Sequence, residues 1–148
     1  MDHGVAPGEQ IPFTDDLLHR QIPFSWTQQG RPCEYAFRPG QRDDGELSVS
    51  WGKLVAPREA YERHISNGYK SDAVFSLTVG EFQVEELPSQ FKPVEENPAH
   101  AIVSYKHIPT KADQKVKSFR LREHAISRGA TYLPDNSLLS ERPTEPEN

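Results

Sequence analysis

Two short runs in this chain alternate strictly between apolar and polar residues. In one, Leu47, Val49 and Trp51 are separated by Ser48 and Ser50; in the other, Phe75, Leu77 and Val79 are separated by Ser76 and Thr78. A period of two places every second side chain on the same side of a strand, so both runs demand a sheet with one dry face and one wetter face. Cys33 to Arg38 reads as a further strand that stops at Pro39-Gly40 and pairs with 46–51 as a hairpin over Asp43-Asp44-Gly45. The 73–79 run reads as a central strand. His100 to Tyr105 adds a strand around Ile102-Val103, and Thr131 to Leu133 a short last one.

Between the strands the punctuation is that of helices. Pro57 stands where a first helical residue loses nothing by lacking an N–H, and Asn67-Gly68 provides the stop. Gly80 to Leu87 reads as a helical turn, with a continuation of the preceding strand as the alternative, and Pro88 ends it either way. Thr110, three residues before Asp113, caps the longest helix, and Gly129 closes it. The order β-β-α-β-(α)-β-α-β specifies an α+β fold, with a single mostly antiparallel sheet and two main helices packed on one face.

A chain of 148 residues suits one domain, and 34% apolar residues with 13 prolines place part of it outside the core. Residues 1–30 are expected to form a partly disordered N-terminal arm, 31–134 the domain, and 135–148 a disordered acidic tail. Within the arm, Ile11-Pro12-Phe13 recurs as Ile22-Pro23-Phe24, and Thr14-Asp15-Asp16-Leu17-Leu18 between them reads as a capped turn of helix. The two triplets either pack on the chain's own core or dock the arm onto a partner.

A formal charge of −5 and a pI near 5.7 argue against a dedicated nucleic-acid module, which needs a basic surface. Cys33 is the only cysteine, so no intramolecular disulfide or thiolate cluster is available and a cytoplasmic setting is expected. The start of the chain lacks a basic, then apolar, signal pattern, and no apolar run approaches the roughly 20 residues of a membrane span.

Basic charge concentrates in 111–128, where Lys111, Lys115, Lys117, Arg120, Arg122 and Arg128 face Asp113 and Glu123. On a helical wheel Ala112, Val116, Phe119 and Ile126 share one stripe, expected to face the core. Lys117, Arg120, His124 and Arg128 then flank one edge as a candidate anion-binding or partner-binding surface, and Lys111, Lys115 and Arg122 flank the other. The competing reading is that their stems cover the rim of the core while the charges reach water. Glu123 falls inside the stripe and is expected to be ion-paired. Leu121, beside Ala125, falls on the side expected to be exposed.

No spacing in the chain assembles a familiar catalytic or metal site. His3, His19, His64, His100, His107 and His124 include no His-Glu-x-x-His pair, and neither a phosphate-cradling glycine loop nor a Gly-x-Ser-x-Gly elbow is present. Neither a metal nor a cofactor is expected. The remaining candidates for chemistry are His64, on the apolar side of its helix with Tyr61 and Ile65, and His100 at a strand start. Were they to converge with Arg38 and Glu34, the cleft would combine a cation with a proton shuttle and suit a phosphorylated or nucleotide-like ligand. Packing histidines hydrogen-bonded within the fold are the alternative.

The segments Phe37-Arg38-Pro39, Asp44-Gly45-x-Leu47-Ser48-Val49, Thr78-Val79-Gly80-Glu81 and Asn97-Pro98-Ala99-His100-Ala101 together resemble a loose group of small uncharacterised bacterial proteins, over roughly residues 35–130. The resemblance implies a bacterial origin, a cytoplasmic setting and a compact domain, and carries no activity. By elimination, the sequence reads as a binding or accessory protein, such as an immunity, antitoxin-like or regulatory partner, acting through protein surfaces. Two alternatives stand beside it: a small enzyme with a His/Arg cleft acting on a nucleotide or phosphate ester, and nucleic-acid binding through helix 111–128.

Overall fold

The computed structural model describes residues 3–139. Its elements run β1 (Leu17–Ile22), β2 (Thr27–Gln28), β3 (Arg31–Pro32), a 3-10 turn at Glu34–Phe37, β4 (Glu46–Trp51), α1 (Pro57–Ser66), β5 (Ala73–Thr78), α2 (Val79–Val84), β6 (Ser89–Phe91), β7 (His100–Ser104) and α3 (Lys111–Arg128). Five strands form an antiparallel sheet in the order β5-β1-β4-β7-β6, while β2 and β3 make a separate two-stranded ribbon. The class is therefore α+β with one main antiparallel sheet. Among the described residues, no helix is long and apolar enough to cross a membrane.

The N-terminal arm is part of this sheet. The segment expected to be a capped turn of helix lies in and just before β1, which pairs with β5 from Leu17↔Thr78 to Ile22↔Ala73 and with β4 on its other side. Its core-facing residues are Leu18, Arg20 and Ile22, and the arginine between two apolar residues interrupts the alternation that marks a strand. Ile11 and Ile22 are fully buried in the chain's own core, whereas Phe13 and Phe24 are partly exposed. At the other end, residues 135–139 also belong to the fold. Leu139 is buried, and the Asp72 carboxylate accepts hydrogen bonds from the backbone N–H groups of Leu138 and Leu139 and from the Ser137 hydroxyl. The rest of the expected tail, 140–148, lies outside the described residues.

Cys33 to Arg38 does not form the expected strand. Ala36 and Phe37 are consecutive buried residues, a pattern that a tight turn accommodates and an alternating strand does not, and 34–37 coil as a 3-10 turn. β4 consequently pairs with β7 and β1 in place of a 33–38 hairpin. β5 sits at the edge of the sheet and not at its centre. Its outer side is closed by Thr131 and Tyr132, whose backbone N–H groups bond the Val74 carbonyl, so the expected last strand is reduced to a single bridge.

Helix boundaries follow the capping chemistry. Pro57 is at the start of α1, Thr78 and Glu81 form a reciprocal capping box on α2, and the Thr110 hydroxyl accepts from the Asp113 N–H to open α3. The side on which α3 packs is the reverse of the wheel reading. Ser118, Leu121 and Ala125 are buried, while Val116 and Phe119 are both 51% exposed. Glu123 is exposed as well and pairs with its neighbour Arg122. The buried stripe is built from small residues and one leucine, and Ser118 is tolerated there because its hydroxyl donates to Glu34 at 2.5 Å.

The two faces of the sheet differ in kind. Leu18, Val49, Phe75 and Ala101 join the main core together with Leu121 and Ala125 of α3. Their alternates, His19, Ser50, Ser76 and His100, form a polar face. The expectation of both main helices on one face holds for α3 only: α1 lies over this polar side, where its Ala60 packs in a small separate cluster with Val55 and Ala99.

Candidate functional site

The polar face becomes a cleft because the sheet opens along one seam. β1 pairs with β4 only at Leu18↔Trp51 and His19↔Ser50, while β1 holds β5 over six residue pairs and β4 holds β7 over five. Beyond His19 the strands part, and Arg20 bridges the opening. Its Nε donates to the Ala36 carbonyl at 2.7 Å and its Nη1 to the Ser48 carbonyl at 2.9 Å, with the guanidinium 4.9 Å from the centre of the Trp26 ring. Burial lowers the proton affinity of this guanidinium to about 10, which leaves it cationic at neutral pH.

Above the seam is a cavity of about 510 Å³, walled by β1, β4 and β7 below, α1 to one side, and the 94–97 loop. That volume falls within the range of small-molecule sites. His64 and His100, the two histidines singled out by the sequence, both line it, with Arg63, Asn97, Ser48 and Ser50 among their neighbours. Asn97 ties the walls together. Its Nδ2 donates to Ser50 Oγ at 3.0 Å, and its Oδ1 accepts from Arg63 Nη1 at 3.2 Å and from the Ala99 N–H at 3.2 Å.

Each histidine is oriented by a backbone carbonyl. His64 Nε2 lies 3.1 Å from the Lys70 carbonyl, and His100 Nδ1 lies 2.8 Å from the Lys92 carbonyl. A carbonyl oxygen only accepts, so these nitrogens carry the ring protons, and His64 Nδ1 and His100 Nε2 are left with bare lone pairs. His64 also stacks on Tyr69 at a centroid distance of 5.1 Å. Burial lowers its proton affinity, the Arg20 charge adds to that effect, and the bond to Lys70 opposes it. His19, 2% exposed beneath the cleft, is fixed in the same manner between the Val55 carbonyl and the Ser76 hydroxyl, and burial lowers its proton affinity too. Gly52 lets this region pack, since a Cβ there would stand 2.7 Å from the Leu17 carbonyl oxygen and 3.0 Å from His19 Nε2.

Arg38 and Glu34 are elsewhere. Arg38 makes two bonds to the Glu34 carboxylate, at 2.8 and 3.0 Å, and Glu34 also accepts from Ser118 of α3, which places the pair on the other side of the sheet. Burial would raise the proton affinity of Glu34, but Arg38 and Ser118 more than offset it and hold the carboxyl below its ordinary range. The cations of the cleft are Arg20 and Arg63 instead, balanced by Asp43 and Glu96.

The candidate binding edge of α3 is turned towards α2. Arg120 clasps Glu85 through Nε and Nη2, and Arg128 clasps Glu81 and also donates to the Ser76 carbonyl. Lys117 donates to the Glu85 carbonyl at 2.7 Å, and His124 Nδ1 lies 3.7 Å from Glu81. These four side chains thus engage carboxylates and carbonyls of the same molecule. On the opposite flank of α3 a wider, open groove of about 1260 Å³ runs beside the β2–β3 ribbon, lined in part by Phe119, Ile126, Leu133, Lys115 and Arg122.

Arg20, Ser48, Ser50, Arg63 and Asn97 are among the cleft residues that the sequence did not single out. The two serines were visible as the polar half of an alternating strand, but a polar half is equally the mark of a face open to solvent. Among the described residues, no group of three or more His, Cys, Asp or Glu is placed to hold a metal ion. Comparison with protein-family models, with curated proteins and with solved structures finds no match.

Proposed function

We propose that this protein binds a small polar molecule in the cleft above the β1–β4 seam. The observation that carries the reading is the convergence of two carbonyl-oriented imidazoles with Arg63 and Asn97 around one cleft of about 510 Å³. Such a site offers both hydrogen-bond acceptors and donors to a ligand that is polar and close to neutral, because its two arginines are offset by two carboxylates. This keeps the His/Arg cleft anticipated from the sequence, with Arg63 and Arg20 in the place of Arg38. Cys33, as a lone thiol, suits a reducing compartment such as the cytoplasm.

The test is a screen of small polar metabolites followed by amide chemical shifts. A true ligand should move the signals of Ser50, His64, Asn97 and His100, and Asn97→Ala should weaken it about tenfold, the worth of one to two hydrogen bonds. Saturable shifts confined to Phe119, Ile126 and Leu133 would contradict the reading.

A protein partner, acting as an accessory or regulatory contact, is the second reading. Its support is the groove beside α3, where Phe119 and Tyr35 are 51% and 44% exposed. Nucleic-acid binding has no comparable support, since the cations on the candidate edge of α3 are engaged with Glu81, Glu85 and Glu86.

A further inference from the structure

Ser48 on β4 and His100 on β7 stand side by side on the cleft floor, with Ser48 Oγ 3.3 Å from His100 Nε2. Because the Lys92 carbonyl fixes the ring proton on Nδ1, Nε2 is the acceptor of this pair and the Ser48 hydroxyl is its donor. A hydroxyl aimed at a bare imidazole nitrogen, with the far nitrogen held by a third group, is the arrangement that activates serine as a nucleophile. Ser48 is exposed, so a substrate in the cleft can reach it. The contrast with the His19–Ser76 pair is informative. That pair has the same order of groups behind it, but it is 2% and 0% exposed and serves packing.

Resting on the reading of the cleft as a ligand site, we propose that Ser48 is the nucleophile and His100 the general base in the hydrolysis of a small carboxylic ester. The cleft's two arginines and two carboxylates favour an uncharged ester over a phosphate dianion. Ser48 Oγ adds to the ester carbonyl carbon while its proton passes to His100 Nε2, and the carbonyl π pair moves onto oxygen. Arg63 and Asn97, which line the same cavity, are donors available to this developing charge. Collapse breaks the bond to the alcohol oxygen, which leaves with the proton from Nε2. Water then adds to the acyl-serine, giving a proton to Nε2, and collapse returns that proton to Ser48 Oγ as the carboxylic acid departs. The third group behind His100 is a carbonyl, which orients the ring but carries no negative charge for the imidazolium, so turnover is slow and activated esters are the appropriate substrates.

The test treats the full chain with an alkyl fluorophosphonate and follows intact mass and peptide mapping, alongside hydrolysis of p-nitrophenyl acetate. The expected result is one phosphonyl group per chain, on Ser48, with none on Ser48→Ala. His100→Asn, whose amide N–H stands where Nδ1 donates to the Lys92 carbonyl but which lacks the base, should slow both labelling and hydrolysis by about a hundredfold or more. Labelling of the unaltered protein no faster than that of Ser48→Ala, or unaffected by His100→Asn, would overturn the proposal. Ligand titration of Ser48→Ala separates the two readings, because retained binding without any labelling removes the ester chemistry and leaves the cleft as a binding site.

Discussion

Replacing Arg20 with methionine is expected to lower stability by about 3–5 kcal/mol, the combined worth of two hydrogen bonds from a charged donor. The loss follows from the open seam. Where β1 parts from β4, Arg20 supplies N–H groups to the Ala36 and Ser48 carbonyls. Methionine preserves much of the stem's volume but has no donor, so the Ala36 and Ser48 carbonyls lose their partner, and the contact with Trp26 loses its cationic component. Lysine at the same position should recover less than half, because one ammonium cannot reproduce a planar fork reaching two carbonyls. Urea denaturation measures both variants, and a loss below about 1 kcal/mol for Arg20→Met would show that the seam is closed by other contacts.

The second large effect is on α3. Leu121→Ala should cost about 3–4 kcal/mol, because it removes a fully buried side chain and leaves a cavity in the main core. Phe119→Ala should cost less than about 1 kcal/mol, despite the larger side chain, since Phe119 is half exposed. The two thermal denaturation curves decide which way the helix faces. Equal losses, or a larger loss at Phe119, would restore the orientation that the helical wheel suggested.

Why the wheel failed is plain from the residues. The buried stripe is Ser118, Leu121 and Ala125, which is too small and too polar to register as an apolar face, while Phe119 and Ile126 border a groove and, with the exposed Val116, mimic one. α3 itself, with its Thr110 cap and Gly129 stop, was legible because capping depends on local chemistry. β4 and β7 were legible for the same local reason, and α1 from its opening proline. β1 was hidden by Arg20, which occupies a core-facing position for the sake of carbonyls distant in sequence. Arg38 was a cleft candidate only if a 33–38 strand brought it to the histidines, and that segment is in fact a 3-10 turn.

The candidate site was legible to a similar extent. His64 could be named from the apolar side of its helix and His100 from its place at a strand start, and both line the cleft. Ser48 and Asn97 could not be, since their roles depend on the pairing of β4 with β7 and on the turn that brings the 94–97 loop against Ser50. The glutamates that occupy the α3 cations were present as Glu81 and Glu85, four residues apart, but their meeting with Arg128 and Arg120 is a tertiary event.

The proposed site depends on backbone carbonyls fixing two cleft imidazoles, His64 and His100, each in a single tautomer. Long-range proton–nitrogen correlation spectra of the histidine rings, recorded from pH 8 down to pH 5, read this directly. His64 should be the Nε2-protonated tautomer and His100 the Nδ1-protonated one, and the neutral form of His64 should persist below the ordinary value of 6.5. Either ring averaging between its two tautomers, or His64 gaining its second proton above 6.5, would contradict the site described here.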